Sequence, residues 1–425
     1  MKLKNRTDDV MICLLLLMQL GFHTNTAYDD YVSIGFSIIV FLYFLLSKAK
    51  ISVMHFTQNA KNYVIWYSLM VVWCGISFLW SEESNLNMIK NLVLFTYIPL
   101  MLTAFCVCEY LRRGNDGIRL LIAMITAEML VGLRALIHTP LAELFTKFDT
   151  RLYGTGLGVN YNHFTTQFAL VFVVVLFMAY NMNKMFYIPL AFMFANILVS
   201  GSRKVLLVSA IAFIILYLTQ TDQKTSLLKR LKRILIIVVI ISVPMWIIMT
   251  NEFMYKLIGE KTLVVISGML NIDLGVSSDA STDQRRELIV IAGDVFQKNF
   301  FHGVGYYSFM NYNKWHVYAH NNYMELLADL GIVGFVLYYS FYIRQLFSYF
   351  KMNNRRKSEP FKLRIGTDFF RSKWNALGLT FFVTLMFMEY GQVTFFRPYV
   401  LTPLLIVTMA IENLKNKEIL QRSDA

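Results

Sequence analysis

One of the seven histidines, His320, lies in the run Tyr318-Ala319-His320-Asn321-Asn322-Tyr323-Met324-Glu325, where a polar segment passes into an apolar one. A neutral imidazole there can take a proton from a hydroxyl, as general-base catalysis requires. Upstream, Arg285 and Arg286 open a stretch whose apolar residues, Leu288, Ile291, Ala292 and Val295, recur at helical spacing. Arg285 falls on the edge of that apolar face, where a lipid-linked anion would sit, and Arg286 points elsewhere. A second pair of cations, Arg203-Lys204, follows Ser200-Gly201-Ser202 in a short turn between two apolar blocks. Guanidinium groups take phosphate oxygens bidentately, and a partly dry setting strengthens the attraction. An imidazole with two such cations suits attack by a hydroxyl as an anionic leaving group departs. Each residue also has a plainer reading: an interfacial histidine bonded to backbone, or arginines snorkelling to a lipid surface.

The elements that must position these residues are membrane-shaped. The chain has 425 residues, 56% of them hydrophobic and only 16% charged, against about 25% charged in ordinary soluble domains. Apolar blocks fall at about 10–22, 31–47, 63–80, 88–108, 118–137, 164–180, 185–200, 205–218, 234–250, 326–348, 375–391 and 398–412. Read as spans, these predict an all-α polytopic membrane protein of about twelve transmembrane helices, with 1–425 forming a single integral-membrane domain. The first block follows Lys2, Lys4 and Arg6 but no small-residue cleavage site follows it, so it is read as a retained span. With the N-terminus inside, most lysines and arginines fall on the inner side and most acids on the outer side. The positive-inside bias thus accounts for the net charge of +13 and predicts both termini cytoplasmic. Nucleic acid need not be invoked.

That orientation places one long polar loop, 251–325 between the ninth and tenth spans, on the extracytoplasmic side. Within it Ser281 and Gln284 have capping-box spacing, with Asp283 as the alternative cap for the helix that carries Arg285. The four cysteines, Cys13, Cys74, Cys106 and Cys108, all sit in apolar blocks and read as small apolar residues. Glu128, Arg134, Glu389 and Arg397 are charges in or near spans and so functional candidates without a named partner. Asp29-Asp30 is a weak metal or base signal.

Four stretches resemble the O-antigen ligase and O-antigen polymerase superfamily of bacterial envelope enzymes. They are Trp80-Ser81 at the end of an early span, Arg151-Leu152-Tyr153-Gly154 with Asn160-Tyr161-Asn162, the Ser200–Arg203 turn, and the long loop. In the loop the likeness runs through Arg285, Asn299, Gly303-Val304-Gly305 and His320 to Gly331 and Gly334, with Phe300 and Ile289 departing from the family's proline and tryptophan. Tyr161 likewise replaces a proline. The resemblance implies an integral-membrane, GT-C-like, inverting and metal-independent glycosyltransferase of the bacterial inner membrane, its site on the extracytoplasmic side. It implies an undecaprenyl-diphosphate-linked oligosaccharide as donor, with His320, Arg285 and Arg203 catalytic. Arg286, Lys204, Glu325, Asn321, Asn160, Asn162 and Arg151 are expected to help bind substrate.

No metal site or cofactor is expected, there being no P-loop or Rossmann fingerprint. Membrane lipid and a polysaccharide chain-length regulator are the other expected partners. The acceptor decides between a surface-polysaccharide polymerase, the reading preferred here, and a ligase that joins glycan to lipid A core. A lipid-linked oligosaccharide flippase or transporter is the competing class. Against it stand the lack of an inverted repeat and of paired Gly- or Pro-broken spans.

Overall fold

The computed structural model describes residues 2–22, 27–47, 57–81, 86–147, 153, 161–219, 280–350 and 372–423, with scattered positions between 242 and 263. All regular structure among them is helical. In chain order the helices are α1 (Lys2–Gly21), α2 (Ala27–Leu46), α3 (Gln58–Ile76), α4 (Leu86–Arg112), α5 (Gly117–Ile137), α6 (Leu141–Lys147) and α7 (Tyr161–Asn181). They continue with α8 (Tyr187–Ser200), α9 (Arg203–Thr219), α10 (Ala280–Lys298), α11 (Asn322–Phe350), α12 (Lys373–Glu389) and α13 (Pro398–Ser423). Five stretches are long and apolar enough to cross a membrane: Asp29–Leu46, Gln58–Leu79, Leu86–Arg112, Gly117–Ile137 and Asn322–Phe350. Thr165–Asn181, Lys184–Ser200 and Lys204–Thr219 are apolar but shorter. The predicted span 234–250 and the basic inner loop from 351 lie almost wholly outside the described residues.

Two compact units emerge. One comprises residues 1–131, 284–345 and 386–425; the other comprises 132–283 and 346–385. In the first, α1, α2, α4 and α13 pack together. A polar thread runs through their core: Gln19 donates to the Pro99 carbonyl at 3.0 Å and accepts from Thr402 at 2.8 Å. α4 carries a π-turn over Leu92–Tyr97, just ahead of Pro99. A proline inside a helix has no N–H to give and crowds the preceding turn, so the widened turn absorbs the misfit.

The end of this bundle nearest the chain's start is closed by charge. Asp8 accepts from Arg113 at 2.9 Å and from the Tyr43 hydroxyl at 2.8 Å, and Arg112 bonds Glu109. These partners let α1 begin at Lys2, ahead of its apolar block. Asp29 and Asp30 occupy the first turn of α2, where negative charge offsets the helix dipole; that is a structural use for the pair. The cysteines are free, Cys13 half-buried and the other three buried.

In the second unit α7 packs on α8 and α9. Residues 165–179 of α7 are buried all round, as expected of a helix apolar on every face. Tyr153, within the Arg151–Gly154 motif, is buried and donates to Asn196 of α8 at 2.7 Å.

Candidate active site

The site in the first unit is built on a broken helix. α11 is interrupted at Gly331, whose φ of 65° and ψ of −169° are closed to residues with a Cβ. A Cβ there would come within 2.4 Å of the Phe301 backbone. The break frees carbonyls and amides that a continuous helix would pair internally, and buried backbone groups must find partners elsewhere. They do so on the segment 300–305. Val304 and Gly305 donate their amides to the carbonyls of Ala328 (2.9 Å) and Asp329 (2.8 Å), while Ile332 and Val333 donate to Phe300 and Phe301. The Leu330 carbonyl takes the Trp73 indole N–H at 3.2 Å.

Buried side chains fix the rest of the loop. The Asp329 carboxylate accepts three successive amides, from Tyr307 (2.9 Å), Ser308 (3.1 Å) and Phe309 (2.8 Å). Such a cluster of amides suits a fixed negative charge. Ser81 and Ser308 share a hydroxyl bond of 2.8 Å, the Tyr306 amide donates to Ser77, and Trp80 lies against the His302 ring. The Trp80-Ser81 motif is therefore seated directly on the loop.

α10 is the amphipathic helix expected around Arg285. Leu288, Ala292 and Val295 are buried against Val304, Phe309, Ala319 and Ala328, so its apolar face packs on protein. It starts at Ala280, one residue ahead of Ser281; the side chains of the proposed capping box's Ser281 lie outside the described residues. Arg285 and Arg286 are both exposed.

His320 stands where this loop enters α11. Its backbone is left-handed, φ 54°, an uncommon conformation for a residue with a side chain. Asn321 follows as the helix cap, its side-chain oxygen accepting the amides of Tyr323 and Met324 at 3.0 and 3.1 Å. Before it, the Ala319 amide donates to Glu325 at 2.6 Å. The His320 backbone is therefore flanked on both sides by residues bonded to α11, and its ring centroid lies 4.2 Å from that of Tyr318. Burial lifts the Tyr318 hydroxyl above its ordinary pKa, against the pull of Arg397 and of Arg285. α11 begins four residues earlier than its apolar block suggests, because the Asn321 cap recruits the polar turn of residues 322–325 into the helix.

Of the expected substrate-binding residues, Asn321 and Glu325 engage backbone as just described. The Arg203 side chain lies outside the described residues; its backbone is the first residue of α9, after the left-handed Gly201 (φ 59°) that ends α8. Lys204 follows it and is half-buried. Arg151 and Asn160 lie outside the described residues, as does the side chain of Asn162. Arg203 and Lys204 belong to one compact unit, and Arg285, Arg286 and His320 to the other. Among the described residues no group of three or more acidic, cysteine or histidine side chains could hold a metal ion.

Sequence reasoning passed over Asp329 and left Glu389 and Arg397 without partners. Glu389 is buried and accepts four hydroxyls, from Tyr338 (3.0 Å), Tyr339 (2.9 Å), Tyr342 (2.8 Å) and Thr394 (2.7 Å). Asn322 accepts the amides of Thr394 and Phe395, tying this same turn to the start of α11. The three tyrosines at 338, 339 and 342, one helical face of a span, were the legible signal. Glu128 is fully buried, and among the described residues neither carboxylate oxygen has a hydrogen-bond partner.

No curated protein matches the chain. Residues 188–339 match the family model described as O-antigen ligase, a stretch that takes in the Ser200–Lys204 turn, α10, the clamped loop, His320 and the broken helix. That family and the several apolar helices point together to a bacterial integral-membrane protein of O-antigen or related polysaccharide assembly. Over residues 188–339, then, the chain is similar to the O-antigen ligase family, which supports the resemblance to the O-antigen ligase and polymerase superfamily that its motifs carry.

Proposed function

We propose that the protein is an inverting glycosyltransferase of surface-polysaccharide assembly, moving glycan from an undecaprenyl-diphosphate carrier to a sugar hydroxyl. The reading rests above all on His320, held in a left-handed turn between the Glu325-bound Ala319 amide and the Asn321 cap. Backbone strain of this kind is held in place by its surroundings and clusters at functional sites. In the reaction His320 accepts the proton of the attacking hydroxyl, whose oxygen bonds the anomeric carbon. The bond from that carbon to phosphate breaks, and its electron pair leaves on the polyprenyl diphosphate. Arg285 and, through the family resemblance, Arg203 bind that diphosphate. Their charges count most as negative charge builds on the leaving oxygen, which is the condition for catalysis rather than mere binding. Two guanidinium groups make a metal unnecessary in this scheme.

The preferred acceptor is another lipid-linked repeat unit, which makes the enzyme a polymerase. The ligase reading, with lipid A core as acceptor, is kept because the matching family model carries that description. Purified protein in detergent, supplied with lipid-linked oligosaccharide alone, should produce a ladder of lengthened glycans. A core-linked glycan formed only when lipid A core is added, with no ladder, would select the ligase, and unchanged oligosaccharide under both conditions would reject the glycosyltransferase reading in favour of transport.

A further inference from the structure

Arg397 sits in an arrangement that stability alone disfavours. Its carbonyl accepts the amides of Val400 and Leu401, both at 3.0 Å, so it caps the N-terminus of α13. A cation at that end opposes the helix dipole. Among the described residues no carboxylate forms an ion pair with it, and its Nε is buried without a hydrogen-bond partner. What holds the guanidinium is the face of Phe396, 4.5 Å from ring centroid to Cζ. Phe396 in turn packs edge-on against Tyr307 at 5.8 Å, and so against the loop that Asp329 organises. Through Thr394 and Phe395 the same turn is bonded to Asn322, two residues after His320. A half-buried guanidinium with a buried, unused Nε donor, on a turn bonded to the start of α11 just after His320, is suited to taking an anion.

We propose that Arg397 is a further anion-binding residue of this site, its guanidinium taking a phosphate oxygen of the polyprenyl diphosphate. The inference rests on the glycosyltransferase reading above and adds to it a cation located in the same compact unit as His320 and Arg285. The shared field of Arg397 and Arg285 at Tyr318 agrees with this. Arg397 also lies within electrostatic reach of Glu325, so the competing role is simply to balance that carboxylate.

The two roles separate experimentally. Binding of undecaprenyl diphosphate and of undecaprenyl monophosphate would be measured on purified wild type, Arg397→Gln and Arg397→Lys, together with glycan transfer and the melting temperature of the unliganded protein. Wild type should prefer the diphosphate. Arg397→Gln should weaken diphosphate binding by on the order of tenfold or more, the scale of a lost charge-assisted bond, and change monophosphate binding much less. Arg397→Lys keeps the charge and the stem over Phe396 but loses the planar fork, so it should fold and still bind the diphosphate at least about threefold more weakly. This second variant carries the test if glutamine prevents folding. Diphosphate affinity at the wild-type value in the folded variants, with only the melting temperature lowered, would overturn the proposal in favour of the Glu325-balancing role. Wild type that neither binds the diphosphate nor transfers glycan would reject the underlying glycosyltransferase reading instead.

Discussion

Two of the places where this chain sets arginine beside apolar helices are built on opposite plans. At 200–204 the turn is as short as helix geometry allows: α8 ends on a left-handed glycine, and α9 starts two residues later at Arg203. The Ser200 hydroxyl bonds back to Ile197 at 2.6 Å, and little else is needed. At 299–321 the backbone is largely irregular for some twenty residues, and buried side chains satisfy several of its amides one by one. A short turn can deliver one cation at the end of a rigid helix. To bring an imidazole, a phenol and two guanidinium groups together from α10, the loop and the turn before α13, as the proposed site requires, non-helical backbone is needed. That backbone survives only if every freed polar group is met.

The largest effect that follows is at Asp329. Asp329→Ala strands three amides, two of them in buried bonds, each buried one worth roughly 1–3 kcal/mol, and should lower the melting temperature sharply and abolish activity together. A folded, active Asp329→Ala protein would break the contrast, because the irregular region would then not depend on its buried acceptors. A smaller effect distinguishes the two glycines. Gly331→Ala forces a side chain into a glycine-only conformation against the Phe301 backbone and should cost roughly 3 kcal/mol. Gly201→Ala asks only for an ordinary left-handed residue and should cost about 1–2 kcal/mol. Thermal denaturation of the two variants side by side checks the order; equal shifts would mean the helix break is no more demanding than a helix end.

Much of this was legible in the sequence. The apolar blocks fixed where most helices lie, and the spacing from Arg285 to Leu288, Ala292 and Val295 gave the face that α10 buries. His320 was legible because a polar run meets an apolar one there. Its conformation was not, since nothing in the residue type asks for a left-handed backbone; Asn321 and Glu325 impose it from outside. Asp329 went unread because an acid inside an apolar block looks like an isolated charge until the loop folds over it. A heptad of tryptophans, Trp66, Trp73 and Trp80, was visible and points at the same place. Trp66 and Trp73 donate to carbonyls of α11 and Trp80 packs on the loop. Arg397 is more than a hundred residues from Arg285, and the Asn322 bonds to Thr394 and Phe395, with Phe396 against Tyr307, tie its turn to α11 and the loop. No spacing rule reaches that far.

The central claim is that His320 removes the proton of the attacking hydroxyl. It is tested most directly by following glycan transfer from lipid-linked oligosaccharide with purified wild type and His320→Ala in parallel, with melting curves for both. Loss of the base should lower the rate by at least about a hundredfold while the melting temperature stays close to wild type. Transfer at the wild-type rate by a folded His320→Ala protein would contradict the account.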